Sequence, residues 1–141
     1  MKRRWLAAFG TLAVVWTLTA QTRDTFKARL SPVPVDERLV STITGHGSVS
    51  AVLSGTKLSL NGSFEGMRSP ATAAHLYQSK MTGIRGVAIG DVDVSKAMDG
   101  NISASVDLTS AQVEALRKGL LYVMVHSTGA PDGNLWGWLL K

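Results

Sequence analysis

Hydrophobic and polar residues alternate along most of the chain. Val49, Ala51 and Leu53 are separated by Ser50 and Val52, and Leu58, Leu60, Gly62 and Phe64 by Ser59, Asn61 and Ser63. Ile102, Ala104, Val106 and Leu108 alternate with Ser103, Ser105 and Asp107. Successive side chains of a strand point to opposite faces, so this period of two predicts half-buried antiparallel strands. Ser54-Gly55-Thr56-Lys57 supplies turn chemistry between the first two of them. Phe26 to Leu30 predicts a short first strand, and Thr72 to Gln78 another after a break at Gly66 to Pro70. Ser31-Pro32-Val33-Pro34 lacks two backbone donors, which predicts an extended edge or a loop.

Two stretches depart from the alternation. Val87 and Ile89 share one parity while Val92 and Val94 share the other, with Gly90 between them, so a continuous strand there needs a bulge or a break. Thr109-Ser110-Ala111-Gln112 has the form of a capping box, Val113, Leu116 and Leu120 fall at helical spacing, and Gly119 supplies a stop. One short helix is predicted from about Ser110 to Lys118. Roughly seven or eight short strands with one helix predict an all-β fold, an antiparallel Greek-key sandwich or barrel.

The closing stretch allows a prediction of register. Tyr122, Met124 and His126 share one strand face, and Trp136, Trp138 and Leu140 share a face of the next strand. Pairing His126 with Asn134 sets Met124 opposite Trp136 and Tyr122 opposite Trp138, whereas a slip of one residue sends the tryptophans to the other face. The aromatic stripe is read mainly as core or sheet packing; if exposed, it would grip a sugar or an apolar partner.

Composition narrows the setting. A chain of 141 residues with 45% hydrophobic content has room for one domain with a real core. Lys2, Arg3 and Arg4 precede Trp5 to Thr19, a mostly apolar run without charge, which reads as a secretory signal peptide over residues 1–20, cut after Ala20. An uncleaved amino-terminal anchor is the other reading. Residues 21–141 are then expected to form a single β domain, and the leader makes a periplasmic or secreted location the expected one. Loss of the three leader cations lowers the net charge from +5 to +2, so the positive excess belongs mostly to the leader and no nucleic-acid surface is expected. No later run is long and apolar enough for a membrane span after signal cleavage. Without cysteine there is no disulfide, and the fold rests on its core.

Candidate chemistry is sparse. No nucleophile-elbow motif is present, and Thr44-Gly45-His46-Gly47-Ser48 lacks the length and the lysine of a phosphate loop. With no complete catalytic constellation the chain is expected not to be an enzyme and to carry no cofactor. The alternative is a copper- or zinc-binding, redox-linked β protein using His75 and His126, which both fall in apolar strands. Imidazole suits either metal, but an ion takes three or four ligands, and Asp91, Asp93, Asp132 or His46 would have to complete the set. Candidate binding residues are His75, Tyr77, His126, Trp136 and Trp138.

Together these stretches carry a resemblance. Ala74, His75 and Leu76, followed by Gly83 and Gly86, are similar to an Ala-His-Ile-His-Gly signature and its glycine-rich loop, with Tyr77 in place of the second histidine. Tyr122, Val123, Val125, His126, Gly133, Leu135, Gly137 and Leu139 match a second signature, similar to Tyr-Val-Asn-Val-His-Thr, a turn, and Gly-Glu-Ile-Arg-Gly-Gln-Leu. Met124, Ser127, Asn134, Trp136 and Trp138 depart from it. The chain resembles the CHRD family, first named from chordin, over about Phe26 to Leu140. The resemblance implies an immunoglobulin-like or Greek-key domain outside the cytoplasm. The lack of a catalytic constellation in a chain of strands and turns makes a module that binds an extracytoplasmic protein or surface ligand, or a structural module, the expected role. It implies no general enzymatic activity. A looser likeness, in Gly62-Ser63-Phe64-Glu65-Gly66 with His75 and in Val125-His126 before Asp132-Gly133, is to the layout of copper/zinc superoxide dismutases.

Overall fold

The computed structural model describes residues 23–141, together with Gly10 and residues 13–16. The leader expected over residues 1–20 therefore lies outside the described residues apart from those five positions. Among the described residues no helix is long and apolar enough to cross a membrane.

Eight antiparallel strands close into a barrel. They are β1 (Arg23–Pro32), β2 (His46–Ser54), β3 (Lys57–Glu65), β4 (Ala71–Gln78), β5 (Val87–Val94), β6 (Gly100–Asp107), β7 (Leu121–Ser127) and β8 (Ala130–Trp138), with α1 (Ser110–Arg117) between β6 and β7. Around the barrel the order is β1-β2-β3-β6-β5-β4-β7-β8, and β8 returns to β1. The run β3-β6-β5-β4 is a Greek key: three strands in a meander, with the preceding strand lying beside the last of them. The expectation of an all-β Greek-key fold with one short helix holds, and the closed form is the barrel.

The alternation seen in the sequence fills the interior. Phe26, Leu30, Val49, Leu53, Leu58, Leu60, Phe64, Leu76, Ile102, Val123, Val125 and Leu135 belong to one buried cluster. The helix closes one side of this core. Thr109 Oγ1 accepts from the Gln112 amide at 3.2 Å and Gln112 Oε1 accepts from the Thr109 amide at 2.9 Å, so the capping box forms as predicted. Leu116 is fully buried, and Gly119, at φ +73°, lets the chain leave the helix for β7.

One local expectation changes, and another is settled in one of its two forms. The β1 strand runs through Ser31 and Pro32, which pair with Trp136 and Leu135 of β8, rather than ending at Leu30. Closure explains this: the proline is the last residue of a strand that is changing partners, where a missing donor costs little. In β5 the chain is continuous but bulged. Leu76 faces Gly90 and Tyr77 faces Ala88, leaving Ile89 as the extra residue that switches parity.

Candidate functional site

The outer face of β4, β7 and β8 carries a second cluster, separate from the barrel core. Because β4 turns Ala74 and Leu76 inward, His75 and Tyr77 point out; because β7 turns Val123 and Val125 inward, Tyr122, Met124 and His126 point out. Trp136 and Trp138 do the same on β8. Tyr122 and Met124 are each only 1% exposed despite lying outside the barrel, because Val33, Tyr77, Trp136 and Trp138 pack over them. The stripe is thus both sheet packing and surface, not interior core.

Register in this region follows the expectation where it matters. Tyr122 faces Trp138 and Met124 faces Trp136. The rings form a continuous array: Tyr77 stacks on Tyr122 with centroids 5.0 Å apart and planes 7° apart, and Tyr122 lies 4.5 Å from Trp138. Trp136 stands edge-on to Trp138 at 5.7 Å and to Tyr122 at 5.6 Å. The predicted pairing of His126 with Asn134 does not form. The hairpin turns tightly, with Ser127 facing Ala130, and the register shifts beyond Val125.

Side chains replace the ladder bonds lost at this bulge. Ser127 Oγ donates to Asn134 Oδ1 at 2.8 Å and accepts from the Ala130 amide at 3.1 Å. Asn134 Nδ2 donates to the Thr44 carbonyl at 2.9 Å, which ties the hairpin to the loop before β2. Ser127 and Asn134 are both fully buried. Gly133, at φ +133°, completes the bulge; a Cβ there would meet Met124 Sδ at 2.6 Å.

Above the rings runs the loop between β4 and β5. The Gly86 amide donates to the Tyr122 hydroxyl at 2.9 Å, and a Cβ on Gly86 would overlap the Gln78 carbonyl. Arg85 reaches from this loop to the Asp132 carbonyl on β8. It stands between two clefts. One, of about 390 Å³, is lined by Leu39, Ile43, Pro131 and Asp132; the other, of about 430 Å³, by Lys80, Ile84 and Val87.

The two histidines meet across the seam between β4 and β7. Their ring centroids are 5.5 Å apart. His75 Nδ1–H donates to Asp91 Oδ1 at 3.1 Å, and His126 Nδ1–H donates to the Pro131 carbonyl at 2.9 Å. That second bond fixes the tautomer of His126, whose Nε2 accepts from the Tyr77 hydroxyl at 2.9 Å. Burial pushes the His126 pKa below its ordinary value; the Pro131 bond and Asp132 oppose the shift, while His75 and Arg85 add to it. Burial also raises the Tyr77 pKa, helped by Tyr122 and opposed by Arg85. The neutral forms that this hydrogen bond needs are therefore the favoured ones.

Of the other residues weighed from sequence, Asp91 joins His75, and Asp132 contributes its carbonyl. Asp93 pairs with Ser103 across β5 and β6, and His46 binds Glu65 at 2.8 Å between β2 and β3. Among the described residues no group of three or more His, Cys, Asp or Glu side chains is placed to hold a metal ion. Sequence reasoning missed Arg85 and Asn134. A lone cation between Gly83 and Gly86 was the available signal for the first; an amide in an otherwise apolar strand was the signal for the second.

The histidines, the glycine loop and the closing hairpin all lie inside the stretch matched by one family description. The CHRD domain family matches residues 26–139, from the first inward phenylalanine to the last inward leucine. The chain belongs to this family. No curated protein and no solved structure matches it. In this CHRD domain the two family-like signatures fall on β4 and β7–β8, adjacent strands of the barrel, so the residues that carry the likeness are also those that build the outer cluster.

Proposed function

We propose that this CHRD domain is an exported, non-catalytic binding module of the periplasm or cell exterior that grips an extracytoplasmic protein through the outer face of β4, β7 and β8. One observation carries the reading: the barrel interior is complete without Tyr77, Tyr122, Met124, Trp136 and Trp138, yet these five gather on its outside. Tyr, Trp, Met and Arg are the residue types enriched at the centres of protein interfaces, and Trp, Tyr and Arg dominate binding hot spots. Arg85 and the partly buried His75 and His126 give the same face a polar margin. The basic and apolar leader supports export.

The test is a photo-cross-linking amino acid placed at Trp136 in the full chain expressed in its own cells, with Ser105 on exposed β6 as control. A discrete protein adduct from position 136, absent from position 105, in the extracytoplasmic fraction supports the reading. Equal labelling at both positions, or none at 136, removes it. Retention of the chain in the cytoplasmic fraction removes the export part separately.

A further inference from the structure

We propose that His75, His126 and Tyr77 form a binding site for a divalent first-row cation, copper(II) before zinc(II), on the seam between β4 and β7. Strand order sets up the geometry. Across β5, β4, β7 and β8 stand Asp91, His75, His126 and Pro131 in that sequence. The two outer members are oxygen acceptors, and each draws the Nδ1–H of its histidine outward, away from the seam. Nδ1 and Nε2 sit on opposite sides of an imidazole, so the Nε2 lone pairs turn inward. For His126 the direction is explicit, since its Nε2 meets the Tyr77 hydroxyl.

This is the arrangement that metal-ligating histidines use. Such a histidine donates its other ring N–H to a carboxylate or a backbone carbonyl, which fixes the tautomer and ring orientation. His75 has the carboxylate and His126 the carbonyl. The spacing agrees as well. An ion about 2.0–2.1 Å from each ligating nitrogen lies about 3.2 Å from each ring centre, so two imidazoles at a tetrahedral to trigonal angle have centres about 5.2–5.6 Å apart. The separation here is 5.5 Å, the tetrahedral spacing that suits zinc(II) directly, whereas cis imidazoles on a tetragonal copper(II) draw the centres about 1 Å closer.

A third oxygen stands beside the pair. The Tyr77 hydroxyl is 2.9 Å from His126 Nε2, and its ring is 6.0 Å from that of His75. On binding, the ion takes the Nε2 lone pair and displaces the Tyr77 hydroxyl, which stays beside it as a neutral phenol, and water fills the positions that the two imidazoles leave. With no cysteine in the chain the donors are nitrogen and oxygen, which suits copper(II) and zinc(II), and copper(II) binds such sites more tightly. The site shares Tyr77 with the face proposed to hold a protein partner, but metal titration of the purified protein involves no partner, so it decides the site whichever way the cross-linking falls.

The experiment is calorimetric titration of tag-free protein with copper(II) and zinc(II), with electron paramagnetic resonance of the copper form. The expected result is one copper(II) per chain with two coupled nitrogens. Affinity falls about 100-fold in His75→Gln and in His126→Gln, falls about tenfold in Asp91→Asn, and is unchanged in His46→Gln. In the unmutated protein, substoichiometric copper(II) broadens amide resonances around His75, Tyr77 and His126 and spares those of β2 and β3, a readout that needs no variant to fold. Absence of binding, affinity unchanged by either glutamine variant, or broadening centred on His46 overturns the proposal.

Discussion

Tyr77 and His126, 49 residues apart in sequence, are joined by a hydrogen bond of 2.9 Å from the phenol to the imidazole Nε2. The bond exists because β4 and β7 are neighbours and both side chains point out of the barrel. It links the aromatic array to the histidine pair: the ring of Tyr77 stacks on Tyr122 while its oxygen belongs to the polar side. Whatever binds this face meets a tyrosine whose orientation is set at both ends.

Replacing Tyr77 by Phe keeps the stack and removes the bond. His126 Nε2 is then left without a partner in a partly buried position, and the expected loss is about 0.5–1.5 kcal/mol of folding stability. Urea unfolding measures it. A loss near zero would mean that water replaces the hydroxyl without cost.

Burial of His126 predicts a pH dependence in metal-free protein. The His126 pKa is lowered from 6.5 in the folded chain, so the unfolded chain takes up the proton first as the solution becomes acidic. Stability is full above about pH 6.5 and falls as the pH drops below it, levelling off once the folded state also protonates. The groups around the ring are His75 and Tyr77 on β4, Arg85 from the loop, Asp132 on β8 and, beyond His75, Asp91 on β5. Thermal unfolding with chelator present, from pH 7.5 to 5.5, should show this decline, and His126→Gln should reduce it. An identical slope in the variant would assign the decline to other groups.

The limits of the sequence reading have identifiable causes. Alternation placed Tyr122 with Trp138 and Met124 with Trp136, since a period of two decides which residues share a face. It does not decide which face is inside. That follows from closure, in which Val123, Val125, Leu135 and Leu139 fill the barrel and the larger aromatic rings remain outside. The hairpin was harder still: Gly129 to Gly133 reads as one long turn, whereas the chain turns at Thr128 and Gly129 and then bulges. The bulge depends on Ser127, Asn134 and Thr44, and a contact between residues 90 positions apart has no local signature.

Asn134 should accordingly be one of the costliest polar positions in the domain. Asn134→Ala removes the donor to the half-buried Thr44 carbonyl and the acceptor for the fully buried Ser127 Oγ, leaving both without these partners. The expected destabilisation is about 2–4 kcal/mol. Chemical denaturation gives the value, and amide exchange at Val33, whose N–H donates to the Asn134 carbonyl at 3.1 Å, should quicken with it. A change below about 0.5 kcal/mol would show that the loop before β2 is not held by this amide.

The aromatic array makes a prediction about energy rather than geometry. Tyr122 and Trp138 face each other on β7 and β8 with centroids 4.5 Å apart, and neither contributes to the barrel interior. If the pair stabilises the hairpin itself, Tyr122→Leu and Trp138→Leu will be non-additive, with a coupling energy of about 0.5–1.5 kcal/mol. Tyr122 also accepts the Gly86 amide, so its single variant should cost more than that of Trp138 and should loosen the β4–β5 loop. A double-mutant cycle by urea unfolding separates the two contributions. Coupling within error of zero would mean that the rings lie together without stabilising each other, and that the outer cluster is held for what it contacts rather than for what it adds to the fold.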